Sequence, residues 1–142
     1  TVYGPWGRPD MALFLFTEAI LAGRPIDVFN NGQMRRDFTY VDNVVAANLS
    51  AMKGDVPTGS VINVGGGERI SILELYHAVA ETLGSDLQPQ MASSRAGDVM
   101  HSLASLEKAE RLLGYSPKVS WRDGLETTLR WYRDTFDASS PA

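Results

Sequence analysis

Arginines set in loops beside strands, rather than on the solvated face of a helix, are the residues of this chain best suited to chemistry. In Gln33-Met34-Arg35-Arg36-Asp37-Phe38-Thr39-Tyr40-Val41-Asp42, two adjacent arginines lie between a glycine turn and a hydrophobic strand. A guanidinium offers a rigid fork of donors that matches a pair of phosphate oxygens. Arg36 therefore reads either as a phosphate ligand or as a tie between loops, through Asp37 or Asp42. Ser94-Arg95-Ala96-Gly97-Asp98 places a second loop arginine three residues before an acid. Such a pair can hold opposite parts of a nucleotide, Arg95 on phosphate and Asp98 on ribose hydroxyls. The competing reading is a surface ion pair, worth about 0–1 kcal/mol.

Other features carry less. Gly65-Gly66-Gly67 follow an apolar run, as phosphate-binding glycines do, but a G-x-G-x-x-G pattern would end on Ile70. A tight strand-to-helix turn is the alternative. His77 and His101 are the only histidines, and neither has a Ser, a Cys or the other His at a spacing that suits catalysis or a metal. Both read as structural or solvated, and no metal site is expected. Trp121, Trp131, Tyr132 and Phe136 follow a helical spacing, which favours packing over stacking on bases.

The elements that must position these side chains alternate between strand and helix. Asp10 is placed to cap a helix over about 10–22, ended by Gly23 and Pro25. Ile26-Asp27-Val28-Phe29 alternates and closes on Asn30-Asn31-Gly32, a strand and its turn. Phe38–Val41 is a second extended piece, Asp42 can cap a helix to about Met52, and Val61–Val64 reads as a strand. Ser71-Ile72-Leu73-Glu74 is a capping box, with Ile70 stapled to Leu75, opening a helix that stops at Leu83-Gly84. Residues 85–101 read as an extended segment and a polar loop. Ser105 and then Ser120 with Asp123 are placed to cap two last helices, one ending at Leu113-Gly114 and one reaching Phe136. The pattern predicts an α/β unit over 1–136 and a disordered tail over 137–142. Thr1-Val2-Tyr3, which runs straight into Gly4-Pro5, suggests a chain that begins mid-fold.

Composition narrows the field. The chain has 142 residues, 44% of them hydrophobic, enough for one core. A net charge of −4 without basic runs argues against nucleic acid and anionic membrane as partners. The absence of cysteine removes disulfides and thiol chemistry and fits a cytoplasmic setting.

Thr1-Val2-Tyr3-Gly4-Pro5-Trp6-Gly7-Arg8-Pro9-Asp10-Met11, Arg36-Asp37-Phe38-Thr39-Tyr40-Val41-Asp42, Asn63-Val64-Gly65, Arg95-Ala96-Gly97-Asp98 and Leu113-Gly114-Tyr115 resemble, in order, the second half of extended short-chain dehydrogenases/reductases. The group is that of the NAD-dependent epimerases and dehydratases, and the first stretch most resembles UDP-glucuronate 4-epimerases. The resemblance implies a sugar-nucleotide-binding part with helices and a few short strands, lacking the N-terminal Rossmann sheet. It implies Arg36 and Arg95 at the UDP diphosphate, Asp98 at the ribose, and Asp27 and Phe29 at the uracil. Thr1 and Arg8 match positions that face the sugar carboxylate in glucuronate-specific members; the alternative for Arg8, set between Gly7 and Pro9, is an ion pair with Asp10 that only pins the loop. Asn43 departs from the group, which commonly has a second acid there; a slightly weaker cap is the expected consequence. Members of the group oxidise C4 of the sugar with bound NAD and return the hydride to the opposite face, using a Tyr-x-x-x-Lys pair. No tyrosine here has a lysine four residues on; those positions are Gly7, Val44, Ala80, Val119 and Phe136. No catalytic residue and no NAD binding are therefore expected of this chain alone. Its expected partners are a UDP-sugar, a missing Rossmann half and, through the surface that half leaves bare, further copies of itself.

Overall fold

A computed structural model of the chain describes residues 1–94 and 97–136. The elements run β1 Val2–Tyr3, α1 Ala12–Leu21, β2 Asp27–Phe29, β3 Arg35–Arg36, β4 Thr39–Tyr40, α2 Val41–Lys53, β5 Ile70–Ser71, α3 Ile72–Leu83, β6 Gln90–Ala92, α4 Glu107–Leu113 and α5 Trp121–Phe136. The strands form three separate pairs. β1 lies parallel to β4, β2 parallel to β6, and β3 antiparallel to β5. Parallel pairing needs a crossover between the partners, so β1–β4 and β2–β6 each join parts of the chain far apart in sequence.

Helices supply most of the core. Leu13, Phe16 and Ile20 of α1, Leu75, Tyr76 and Val79 of α3, and Leu125 and Leu129 of α5 are buried in one cluster with Tyr3, Val28, Phe38 and Tyr40. These residues recur every three or four positions in each helix, so one face of each is committed to the interior. A smaller cluster joins Ala47 of α2, Ala109 of α4 and Tyr115.

The Ser71 capping box forms as the sequence predicts: the Ser71 hydroxyl accepts the Glu74 N–H at 3.0 Å, and the Glu74 carboxylate accepts the Ser71 N–H at 2.7 Å. α3 ends on Gly84 at φ 68°, a left-handed geometry that glycine adopts without strain. Ser120 and Asp123 pair as expected at the start of α5.

Three expected caps do not form. α1 and α4 begin from Met11 and Leu106, and α2 from Tyr40, none with a side-chain cap bond. Asp10 is drawn to Arg8 instead, Asp42 falls inside the first turn of α2, and Ser105 lies one residue too early. The expected strand at Val61–Val64 is also absent. That segment has no ladder partner among the described residues; Ile62 and Val64 pack beside α2 and α4 instead. The expected tail over 137–142 lies outside the described residues.

Asn43 is the further correction. It is 2% exposed, and its Oδ1 accepts the N–H groups of Lys118 and Val119 while its Nδ2 donates to the Val119 carbonyl. The residue is no weakened cap but a three-bond clamp between α2 and the segment that enters α5.

Candidate substrate-binding site

β2 is the wall from which the site is built. Val28 turns into the core while Asp27 and Phe29, on either side of it, lie toward the surface, as strand alternation requires. Pairing with β6 sets Asp27 against Gln90 and Phe29 against Ala92. A cavity of about 580 Å³ opens between this pair, the N-terminal half of α1 and the start of α3; Asp27, Phe29, Gln90 and Asp98 line it, with Met34 and Asp10. Asp98 is exposed, on the segment that leaves β6 and returns to β3.

That segment is strapped down by β3. The Arg35 N–H donates to the Met100 carbonyl at 2.8 Å and the Ser102 N–H to the Arg35 carbonyl at 3.2 Å. Arg36 is half-buried, and its Nη1 donates to the carbonyls of Arg35 at 3.0 Å and Met100 at 3.4 Å. Its guanidinium is thus held against the segment that carries Asp98, two residues from the Met100 carbonyl. Neither Asp37 nor Asp42 pairs with Arg36 among the described residues, which removes the loop-tying alternative in the form the sequence suggested.

Asp37 has another use. It is buried, its Oδ1 accepts the Gly66 N–H at 2.7 Å and its Oδ2 the Gly67 N–H at 3.3 Å. A Cβ on Gly65 would stand 2.5 Å from that carboxylate, so the glycines are there to let it approach. Tyr115 completes the clamp by donating to the Gly65 carbonyl at 2.7 Å; burial, with Asp37 close by, raises its phenol above the ordinary range. The donors that a dinucleotide phosphate needs are already filled by a side-chain carboxylate. The glycine turn does not fit NAD.

Of the residues implied for the sugar end, Thr1 lines a second cleft of about 350 Å³ with Asp37, Asn63 and Ser102. Arg8 is exposed and forked on Asp10, Nε to Oδ1 at 3.0 Å and Nη2 to Oδ2 at 2.6 Å. The structure therefore brings Asp27, Phe29 and Asp98 into one cavity, holds Arg36 against the segment that carries Asp98, and leaves Thr1 in a separate cleft. Arg95 lies outside the described residues. Gln90 and Asp10 are the cavity residues that sequence reasoning missed. Gln90 enters through a parallel pairing across more than sixty positions, which leaves no local signal. Asp10 was read as a cap or as an ion-pair partner of Arg8; the pair forms, and its place in the cavity was the part missed.

An α/β unit of this shape superposes on part of solved UDP-sugar 4-epimerase chains. Residues 1–65 of the chain match the pattern of the NAD dependent epimerase/dehydratase family. Among its relatives is a probable UDP-glucuronate 4-epimerase of Rhizobium meliloti strain 1021, 37% identical over 96% of this chain and 45% of that protein. Two solved structures superpose with a TM-score of 0.88: UDP-glucose 4-epimerase of Thermotoga maritima with UDP-glucose (37% identity, 95% of this chain, 44% of that one), and UDP-glucuronic acid 4-epimerase of Bacillus cereus with UDP-glucuronic acid and NAD (36%, 94% and 43%). The chain thus spans less than half the length of each relative.

Proposed function

We propose that the chain is the UDP-sugar-binding part of an NAD-dependent UDP-sugar 4-epimerase that acts on UDP-glucuronate. The observation that carries this is the cavity that joins Asp27, Phe29 and Asp98, with Arg36 moored to the same segment. Phe29 and the β2 backbone suit a planar base, Asp98 accepts hydrogen bonds from ribose hydroxyls, and Arg36, joined by Arg95, neutralises the diphosphate. Arg8 and Thr1 are the residues we assign to the sugar carboxylate, since a fork and a hydroxyl distinguish an acid from the neutral hexose. Asp37 fills the donors of the glycine turn, so this reading assigns the hydride chemistry at C4 that NAD would supply to a Rossmann half outside these residues. The acidic, cysteine-free composition suits work in the cytoplasm.

Residues 1–136 form, in this reading, one nucleotide-sugar-binding domain. Val45, Leu49 and Met52 make an exposed apolar stripe along α2, one turn apart, and we assign that stripe to contact with the Rossmann half. A second reading, a free-standing module that binds nucleotide sugars without chemistry, draws on the want of a Tyr-x-x-x-Lys pair in this sequence. Titration with UDP tests the site in both cases: Arg36→Ala and Asp98→Asn should each weaken it, while Arg8→Ala should not. Epimerisation of UDP-glucuronate, followed by proton NMR in the full-length enzyme that carries these residues, separates the readings. A chain that binds UDP equally well with and without Arg36 and Asp98 would remove the site assignment.

A further inference from the structure

Among the described residues, Arg8 and Asp10 form the ion pair at the cavity, and its geometry has a bearing on substrate choice. Both carboxylate oxygens of Asp10 are engaged by one edge of the guanidinium, at 3.0 and 2.6 Å. The Met11 N–H donates to the Arg8 carbonyl at 3.3 Å, closing a short turn that keeps the two side chains within reach of each other. Asp10 also lines the cavity that Asp27, Phe29 and Asp98 share. Both side chains are open to water, 76% and 64% exposed, and exposed pairs of this kind break at little cost.

We propose that Asp10 is a specificity-setting residue, an internal carboxylate that fills the Arg8 fork and is displaced when an acidic UDP-sugar enters. The inference rests on the assignment of Arg8 to the sugar carboxylate made above. A fork edge can grip one carboxylate at a time. A uronate that takes the Nε–Nη2 edge competes with Asp10 for it, whereas a neutral hexose leaves the pair intact. The hydrogen bond from Arg8 holds the Asp10 carboxyl below the usual carboxylate range. Asp10 thereby lowers the preference for acidic sugars below what Arg8 alone would give, and it keeps the arginine from binding stray anions when the site is empty. Glu18, the other acid on this side of α1, is occupied by Arg24 at 3.0 Å and does not replace it.

The test is calorimetric titration of UDP, UDP-glucose and UDP-glucuronate into the full chain and its Asp10→Asn, Arg8→Ala and doubly substituted forms. The expected result is that Asp10→Asn raises the affinity for UDP-glucuronate about two- to fivefold relative to UDP and UDP-glucose, the range for release of an exposed pair. In the Arg8→Ala background the same change should have no effect, because the competitor has lost what it competes for. An unchanged or lower preference for UDP-glucuronate in Asp10→Asn overturns the proposal. So does a gain that persists without Arg8, which would mark Asp10 as a long-range charge only. Failure of UDP itself to bind overturns the site assignment, and this inference with it; normal UDP binding with an unaltered ratio overturns this inference alone.

Discussion

At the scale of single residues, the motif side chains divide into those that hold the chain and those that face the cavity. Asp37, Asn43 and Tyr115 each close a long-range contact through backbone groups. Replacing Asn43 by Ala leaves two N–H donors and a carbonyl without partners in a buried place, and a buried polar group left unsatisfied costs ~1–3 kcal/mol. We expect Asn43→Ala to lower stability by at least ~2 kcal/mol in urea unfolding, and Asn43→Asp to be destabilising too, since a carboxylate oxygen would face the Val119 carbonyl where the amide donates. An Asn43→Ala chain as stable as the parent would show that the clamp is idle. Arg8 belongs to the other group. In the full-length enzyme, Arg8→Ala should reduce kcat/KM for UDP-glucuronate about tenfold relative to UDP-glucose, because Arg36 and Arg95 serve the diphosphate common to both. Thr1→Val should act in the same direction and more weakly. Equal ratios before and after would leave a UDP-hexose enzyme of unspecified sugar.

At the scale of elements, the capping box that opens α3 couples stability to pH. The backbone N–H of Ser71 and its hydroxyl hold the Glu74 carboxyl below its ordinary range. A carboxyl whose folded value is depressed contributes stability that is present above its unfolded value and is lost as pH falls through the folded one. Acidification below about pH 4.3, the usual glutamate value, should therefore weaken α3, and Glu74→Gln should flatten that part of the profile. Ser71→Ala removes the acceptor for the Glu74 N–H and should cost ~1 kcal/mol. Thermal unfolding followed by circular dichroism between pH 3 and 7 reads both effects. An acid limb of the same slope in Glu74→Gln would assign the pH dependence to other carboxyls.

At the scale of the whole molecule, the exposed stripe of Val45, Leu49 and Met52 on α2 is what a face built for a partner looks like; Met52 is 81% exposed. We expect the 142-residue chain to bind a hydrophobic dye and to self-associate, with Leu49→Lys and Met52→Lys relieving both without lowering the melting temperature. A monodisperse parent chain by sedimentation velocity would count against the partner half. The same chain should bind no NAD and epimerise no UDP-sugar, because Asp37 fills the Gly66 and Gly67 donors and no tyrosine here is paired with a lysine four residues on. A stoichiometric NAD signal on the purified chain would refute this.

Local physics was written in the sequence. The Ser71 box, the left-handed stop at Gly84, the Ser120–Asp123 cap and the alternation of β2 each depend on residues within a few positions of one another, so spacing alone determined them. The loop placement of Asp98 was legible for the same reason, whereas Arg36 lies in β3, paired with Ile70 of β5. Contacts between distant parts of the chain were not. That Gly65–Gly67 bind a carboxylate of their own chain, that Asn43 clamps the entry to α5, that Val61–Val64 finds no ladder partner, and that Gln90 stands across from Asp27 are decided by which distant segments meet. Side chains such as Asp10, Asp37 and Asn43 offer the same acceptors wherever they sit. Only the tertiary structure decides which donor reaches them first, because a hydrogen bond is set by distance and angle rather than by residue type.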